Sequence, residues 1–194
     1  MSHDKLYSFI YRGLLAEEAL DKAGRTSRGD FSVAWEAETS KRLGIPLMDE
    51  GFVVKSRKMA TVYTAICAFE NSVREFIEKK LLEEKREKWW ELCVKKEIRT
   101  NAENRKKAEK DVRWLTPRGN SMIYYTEFGD LISIMAKPEN WKFFEVHIGN
   151  IDWAKQIIGT LEKSRNIIMH SGELSPTDIE RVGMYIRDWI SQVG

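Results

Sequence analysis

Residues 56–81 read SRKMATVYTAICAFENSVREFIEKKL, with apolar side chains at Met59, Val62, Tyr63, Ile66, Phe69, Val73, Phe76, Ile77 and Leu81. The steps are of three and four. An α-helix turns once every ~3.6 residues, so this spacing lines one face with hydrocarbon and leaves the other to water. A strand would alternate at every second residue, which this stretch does not do. The spacing predicts one long helix that starts near Ser56 and runs past Glu84 toward the Trp89-Trp90 pair. Its apolar face has to be covered by other elements, and the rest of the chain supplies further helices.

The two clearest lie at the C-terminal end. Ile151, Ala154, Ile157, Ile158, Leu161 and Ile168 form a second stripe, with Gly172 just beyond its end. Ser175-Pro176-Thr177-Asp178 then reads as a helix start: a hydroxyl cap, a proline at the first helical position and an acid at the third. The final helix places Ile179, Val182, Ile186, Trp189, Ile190 and Val193 on one side.

Between these landmarks the signals are shorter. Residues 83–113 are dense in charges of both signs, and residues 101–110 hold almost nothing apolar beyond Ala102 and Ala108. That segment is an exposed helix or a loop. Mixed charges at helical spacing usually make a solvated face, although the basic excess also suits a phosphate backbone. Pro117-Arg118-Gly119-Asn120 is a turn, and residues 122–125 read as a short extended piece. Residues 127–136 read as a short helix closed by Lys137-Pro138. Residues 140–146, with Trp141, Phe143 and Phe144, read as another helical piece.

Ahead of the long helix, Leu6, Phe9, Ile10, Leu14, Ala16, Ala19 and Leu20 give helical spacing over residues 5–23. A Gly-, Ser- and Arg-rich break follows at residues 24–29. Asp30 or Ser32 then caps a second helix ending near Leu43, before Gly44-Ile45-Pro46. The expected organisation is an all-α chain, with residues 1–50 as an N-terminal helical extension and residues 51–194 as the main helical domain.

Composition narrows the function classes. A net charge of +2 gives no whole-chain field that marks a nucleic-acid binder. Cys67 and Cys93 are far apart and form no C-x-x-C pair, so neither a zinc site nor a disulfide framework is indicated; reduced thiols and a cytoplasmic location are expected. The first residues, MSHDKLYSFIYRGLL, lack the apolar run and cleavage site of a signal peptide. No stretch approaches the ~18 apolar residues that span a bilayer, so no membrane partner is expected.

Three histidines are present: His3, His147 and His170. His3 lies at the ragged N-terminus. His147 follows an aromatic helix before Gly149, a setting for an interface or a cap. His170 ends the penultimate helix in Ser164-Arg165-Asn166-Ile167-Ile168-Met169-His170-Ser171-Gly172. Asn166 and His170 are four apart and share a helix face. Arg165 and His170 are five apart, roughly 140° around an ideal helix, so a straight helix does not aim both at one atom. They converge if the arginine bends, if the helix frays at His170, or if a second subunit completes the site.

The chemistry of the trio suits RNA. An imidazole moves protons near neutral pH, a guanidinium grips a phosphate in two places, and an amide orients either. The matching reaction is attack of a ribose 2′-hydroxyl on the adjacent phosphate, for which no metal or other cofactor is required. The plain alternative makes Arg165 a structural ion-pair partner and His170 a helix C-terminal residue favoured by the dipole. A third option is a helical adaptor using the seven tryptophans as core or partner anchors.

The run Arg165 to Ser171 resembles the R-x4-6-H signature of the HEPN superfamily (higher eukaryotes and prokaryotes nucleotide-binding), in which a polar residue, often Asn, follows the arginine. Phe69-Glu70-Asn71-Ser72-Val73-Arg74-Glu75-Phe76-Ile77 resembles that family's long early helix, with an acid and an arginine four apart. Trp89-Trp90, Tyr125-Thr126-Glu127-Phe128-Gly129-Asp130-Leu131 and Asn140-Trp141-Lys142-Phe143-Phe144 look like the branch found in a transcript-surveillance endonuclease and in bacterial phage-defence proteins. The resemblance covers about residues 55–192, without the charged insert at 83–113.

It implies an up-and-down helical bundle, usually a homodimer with two signatures facing across a cleft. Active members are metal-independent endoribonucleases acting on RNA; others are nucleotide-binding or assembly modules. It implies Arg165, Asn166 and His170 as catalytic residues, with Glu70, Arg74 and Ser171 supporting them or binding substrate. Glu70 and Arg74 equally fit an i,i+4 surface ion pair. A phage-defence or toxin role, with an antitoxin or defence-system partner, follows from the branch.

Overall fold

A computed structural model describes residues 33–193. The helix expected over residues 5–23 and the caps Asp30 and Ser32 lie outside the described residues. Helices account for the regular structure among those described, with no strand. Helix α1 spans Val33–Arg42 and is followed by a 3-10 turn at Ile45–Leu47. Helix α2 spans Glu50–Lys85, α3 Trp89–Cys93 and α4 Lys96–Lys110. A 3-10 turn at Met122–Tyr125 leads to α5, Phe128–Met135, and α6, Pro138–Ile148. Helices α7, Ile151–Met169, and α8, Pro176–Val193, complete the order. The chain divides into two compact units between Val53 and Val54, inside α2.

At 36 residues, α2 is the longest element, and it begins earlier than the apolar stripe suggests. The Asp49 carboxylate accepts a hydrogen bond from the Phe52 N–H at 3.1 Å and so starts the helix. Phe52 and Val54 stay exposed, so burial does not mark that end. Further along, Ile66, Phe69, Val73, Ile77 and Leu81 are buried, as the spacing requires.

Residues 54–193 enclose one all-α core. To the α2 face it adds Phe128, Leu131, Ile134 and Met135 of α5, Phe144 and Ile148 of α6, Ile157, Ile158 and Leu161 of α7, and Val182 and Trp189 of α8. Rings lock the layers together. Phe69 meets Trp189 edge-on at 5.5 Å and Phe128 at 6.2 Å, while Trp153 stacks on Trp189 at 5.6 Å. His147 sits edge-on to Phe76 at 5.7 Å and so packs against α2.

The charged segment resolves as helix to Lys110 and turns thereafter. Helix α4 is held to the core through Ile98 and Ala102, four apart, and the rest of its surface is largely solvated. Residues 122–125 are not extended as their pattern suggested. Ile123 and Tyr125 are buried, while Met122 and Tyr124 are only partly so. With no strand beside them, the backbone closes on itself instead, the Thr126 N–H donating to the Ile123 carbonyl at 3.2 Å. Pro138, expected only to close a helix, also opens α6 at its first positions. The buried Asn140 amide donates to the carbonyls of Cys93 at 2.9 Å and Ile134 at 2.7 Å, tying the end of α3 to α5 and α6.

Caps set the last two helices. The Asn150 side chain accepts from the N–H groups of Asp152 and Trp153 at the start of α7. The Ser175 hydroxyl accepts from the Asp178 N–H at 3.2 Å at the start of α8, as the sequence signature predicts. No helix among the described residues is long and apolar enough to cross a membrane.

Candidate active site

The site is built on α2 and α7. Glu70 and Arg74 lie one turn apart on α2, and both are buried, at 6% and 7% exposure. They are therefore not a surface ion pair. The Arg74 guanidinium meets the Glu70 carboxylate at 2.6 Å and also donates to the carbonyls of Ile123 at 3.2 Å and Thr126 at 3.0 Å. From α7, Arg165 Nη1 reaches both Glu70 oxygens, at 3.2 and 3.0 Å. One buried carboxylate thus serves two guanidiniums.

That ratio leaves the cluster one positive charge in excess. Arg165 carries the part nearest solvent, its side chain being 23% exposed. It lies over the Phe128 ring at 5.8 Å, and its Nη2 donates to Asn166 Oδ1 at 3.2 Å. A guanidinium has five N–H donors, so donors remain for an anion. Asn166, its oxygen turned to Arg165, keeps its amide N–H groups as further donors. These residues border an open pocket of about 380 Å³ lined by Tyr63, Cys67, Glu70, Asn71, Arg74, Arg165, Asn166 and Met169.

His170 is not part of that lining. It is the C-cap residue of α7 and is exposed. The helix end just after it is tightly built. The Ser171 N–H donates to the Ile168 carbonyl at 2.9 Å and the Gly172 N–H to the Ile167 carbonyl at 2.8 Å, the Schellman pattern. Ser171 takes a φ of 62° in that pattern, where glycine is the usual residue. A Cβ on Gly172 would stand 2.6 Å from Ile167 Cγ2 and 2.9 Å from the Ile167 oxygen, so only glycine fits there. Within one chain, then, Arg165, Asn166, Glu70 and Arg74 come together, while His170 and Ser171 stand on the adjoining helix end.

The left-handed Ser171 gives a direct test of that helix end. Ser171→Gly is expected to raise stability by about 0.5–1 kcal/mol, because it removes side-chain strain at positive φ. A thermal melt that falls rather than rises would show that the Ser171 side chain holds the turn.

Tyr63 and Cys67 line the pocket but do not stand out as site residues in the sequence. Tyr63 falls on the apolar stripe and reads as core. Its hydroxyl is hydrogen-bonded to Cys67, which with partial burial pushes the phenol above its ordinary range. Tyr63, Cys67, Glu70 and Arg74 follow one another by four, three and four residues, a polar string on one helix face beside the apolar one. That string was the available signal. Among the described residues, no group of three or more His, Cys, Asp or Glu side chains is arranged to hold a metal ion.

Residues 65–194 match the family model described as Swt1-like HEPN. The chain belongs to the Swt1-like HEPN family. The HEPN match includes Glu70 and Arg74 on α2 and runs through Arg165, Asn166, His170 and Ser171, so it takes in the whole pocket except Tyr63. Membership of the HEPN family supports a nuclease or RNA-binding module in general terms. No curated protein and no solved structure matches the chain.

Proposed function

We propose that this HEPN chain is an endoribonuclease that works without a metal ion. The supporting observation is the Arg165–Glu70–Arg74 cluster, which holds Arg165 in a fixed pose with spare donors beside Asn166. Arg165 clamps the scissile phosphate and Asn166 orients it. His170 moves the proton: the ribose 2′-oxygen attacks the neighbouring phosphorus, the P–O5′ bond breaks, and the departing oxygen gains a proton. The products are a 2′,3′-cyclic phosphate and a 5′-hydroxyl, with no net redox change.

His170 lies outside the pocket of its own chain, so the proposal includes a homodimer in which a second copy brings the imidazole to the phosphate. Ile167 and Met169, 46% and 60% exposed on the same helix end, offer apolar surface for that contact. The setting proposed from the branch is bacterial phage defence or a toxin held by an antitoxin or defence-system partner, in the cytoplasm.

The test is incubation of the purified chain with single-stranded RNA in EDTA. Fragments carrying a cyclic phosphate, increasing with enzyme, are expected. Intact RNA at every enzyme concentration overturns the proposal. The second reading is a binding or dimerisation module without turnover, and the position of His170 away from Arg165 favours it. That reading predicts RNA or nucleotide binding with no cleavage.

A further inference from the structure

A second cleft, of about 410 Å³, lies between α4 and the turns that follow it and shares no lining residue with the first pocket. Lys106, Glu109, Lys110, Arg113, Leu115 and Tyr125 are among its walls. Between Lys95 and Arg118 the chain places nine lysines and arginines against four acids, although the whole chain is only +2. The basic excess is therefore local to this segment of the chain.

The cleft's own acid is already engaged. Burial pushes the Glu109 carboxyl up. Hydrogen bonds from the Tyr125 hydroxyl, the Arg118 N–H and the Arg118 guanidinium outweigh that and hold it below the usual carboxylate range. Arg118 is the partner of Glu109, at 3.2 Å, and Arg105 is engaged by Glu127 and the Tyr125 carbonyl. Among the described residues, Lys110 and Arg113 make no ion pair, and Lys106 lies over the Tyr125 ring at 5.7 Å. Three cations thus line the cleft, and the acid in its lining, Glu109, is already taken by Arg118 and Tyr125.

Beside it stands Trp114, 84% exposed, between the cleft residues Arg113 and Leu115. An indole held almost wholly in water next to unpaired cations fits a ligand that is both anionic and aromatic. Single-stranded nucleic acid is such a ligand, its phosphates meeting the cations and a base stacking on the ring. One short segment borders both sites. Arg74 of the first pocket donates to the carbonyls of Ile123 and Thr126, and the Tyr125 side chain between them walls the second cleft.

We propose that the cleft formed by Lys106, Lys110 and Arg113, with Trp114 as a stacking platform, binds the single-stranded flank of an RNA whose scissile phosphate sits at Arg165. This rests on the ribonuclease reading for the identity of the substrate, but its binding test does not need turnover. The cleft holds a strand in register, and substrates too short to reach it gain nothing from it.

The experiment measures the binding of a fluorescent single-stranded RNA of about 15 nucleotides by anisotropy, in a His170→Ala background. Lys110→Ala/Arg113→Ala is expected to weaken binding about tenfold and to lower the log–log salt slope by roughly 0.7 for each cation removed. Trp114→Ala is expected to weaken binding about tenfold, with duplex RNA a poor competitor because its bases are already stacked. All three residues are exposed, so unchanged melting curves are expected for these variants. Unchanged affinity in both variants overturns the proposal. So does poly-glutamate competing as well as RNA while Trp114→Ala is silent, which would make the cleft a site for an acidic protein. With His170 intact, cleavage of a dinucleotide is expected to be untouched by the cleft variants. If no RNA of any length is cleaved, the ribonuclease reading fails while the binding result still stands.

Discussion

His170→Ala is expected to slow RNA cleavage at least about a hundredfold, the lower bound for removing a general acid–base group. The substitution is clean because the side chain is exposed and its backbone, not its ring, closes the helix end: the His170 N–H donates to the Asn166 carbonyl at 3.1 Å. Removing an exposed ring of this kind typically changes stability by no more than about 0.5 kcal/mol. RNA binding should be little altered, since the proposed phosphate clamp is Arg165 and not His170. Equal cleavage by parent and variant in EDTA would remove His170 from the mechanism. Arg165→Ala should also lose activity, but with weaker binding, because it takes away the proposed anion clamp.

The two variants together test whether the site is shared. In a mixed dimer of His170→Ala and Arg165→Ala chains, one subunit keeps its arginine and the other its imidazole. If the two meet across the interface, mixing restores about a quarter of parental activity, since half the dimers are mixed and each has one intact site of two. If they meet within one chain, mixing restores nothing. The roughly 140° between the two positions on α7 and the absence of His170 from the pocket both favour restoration.

Much of this architecture was legible in residue spacing. The α2 stripe, the α7 stripe and the Ser175 cap are each local patterns, and local patterns survive folding because a helix face and a cap are fixed within a turn or two. The short extended piece expected at residues 122–125 failed for the opposite reason. A four-residue apolar run such as Met122–Tyr125 looks the same whether the backbone is extended or turned, and the outcome depends on what lies beside it. The site was legible as residue types and not as contacts. Arg165 and Glu70 are 95 positions apart, and nothing in either neighbourhood states that one carboxylate holds two guanidiniums. Tyr63 was hidden by falling among apolar residues that share its periodicity.

Glu70→Ala is the substitution expected to cost most stability, about 3 kcal/mol. Removing one partner of a buried pair strands the other, and here two guanidiniums would face each other with no anion between them. The figure sits at the low end of the range for buried pairs for two reasons. Arg165 is partly exposed and regains water, and Arg74 keeps two backbone carbonyls as acceptors. The expected readout is a melting temperature lower by roughly 10 °C, with activity falling further than instability explains, because Arg165 is no longer held in pose.

A paired substitution separates the two effects. Glu70→Leu/Arg74→Met replaces the α2 half of the cluster with apolar side chains, an exchange that is often neutral or stabilising once no lone charge remains buried. Stability should recover most of what Glu70→Ala loses, while Arg165, without its carboxylate, stays unanchored and cleavage stays low. If the paired variant regains both, Glu70 serves the fold alone. If Glu70→Ala itself melts within about 1 kcal/mol of the parent, the buried cluster does not hold α2 to α7 in the way these contacts require.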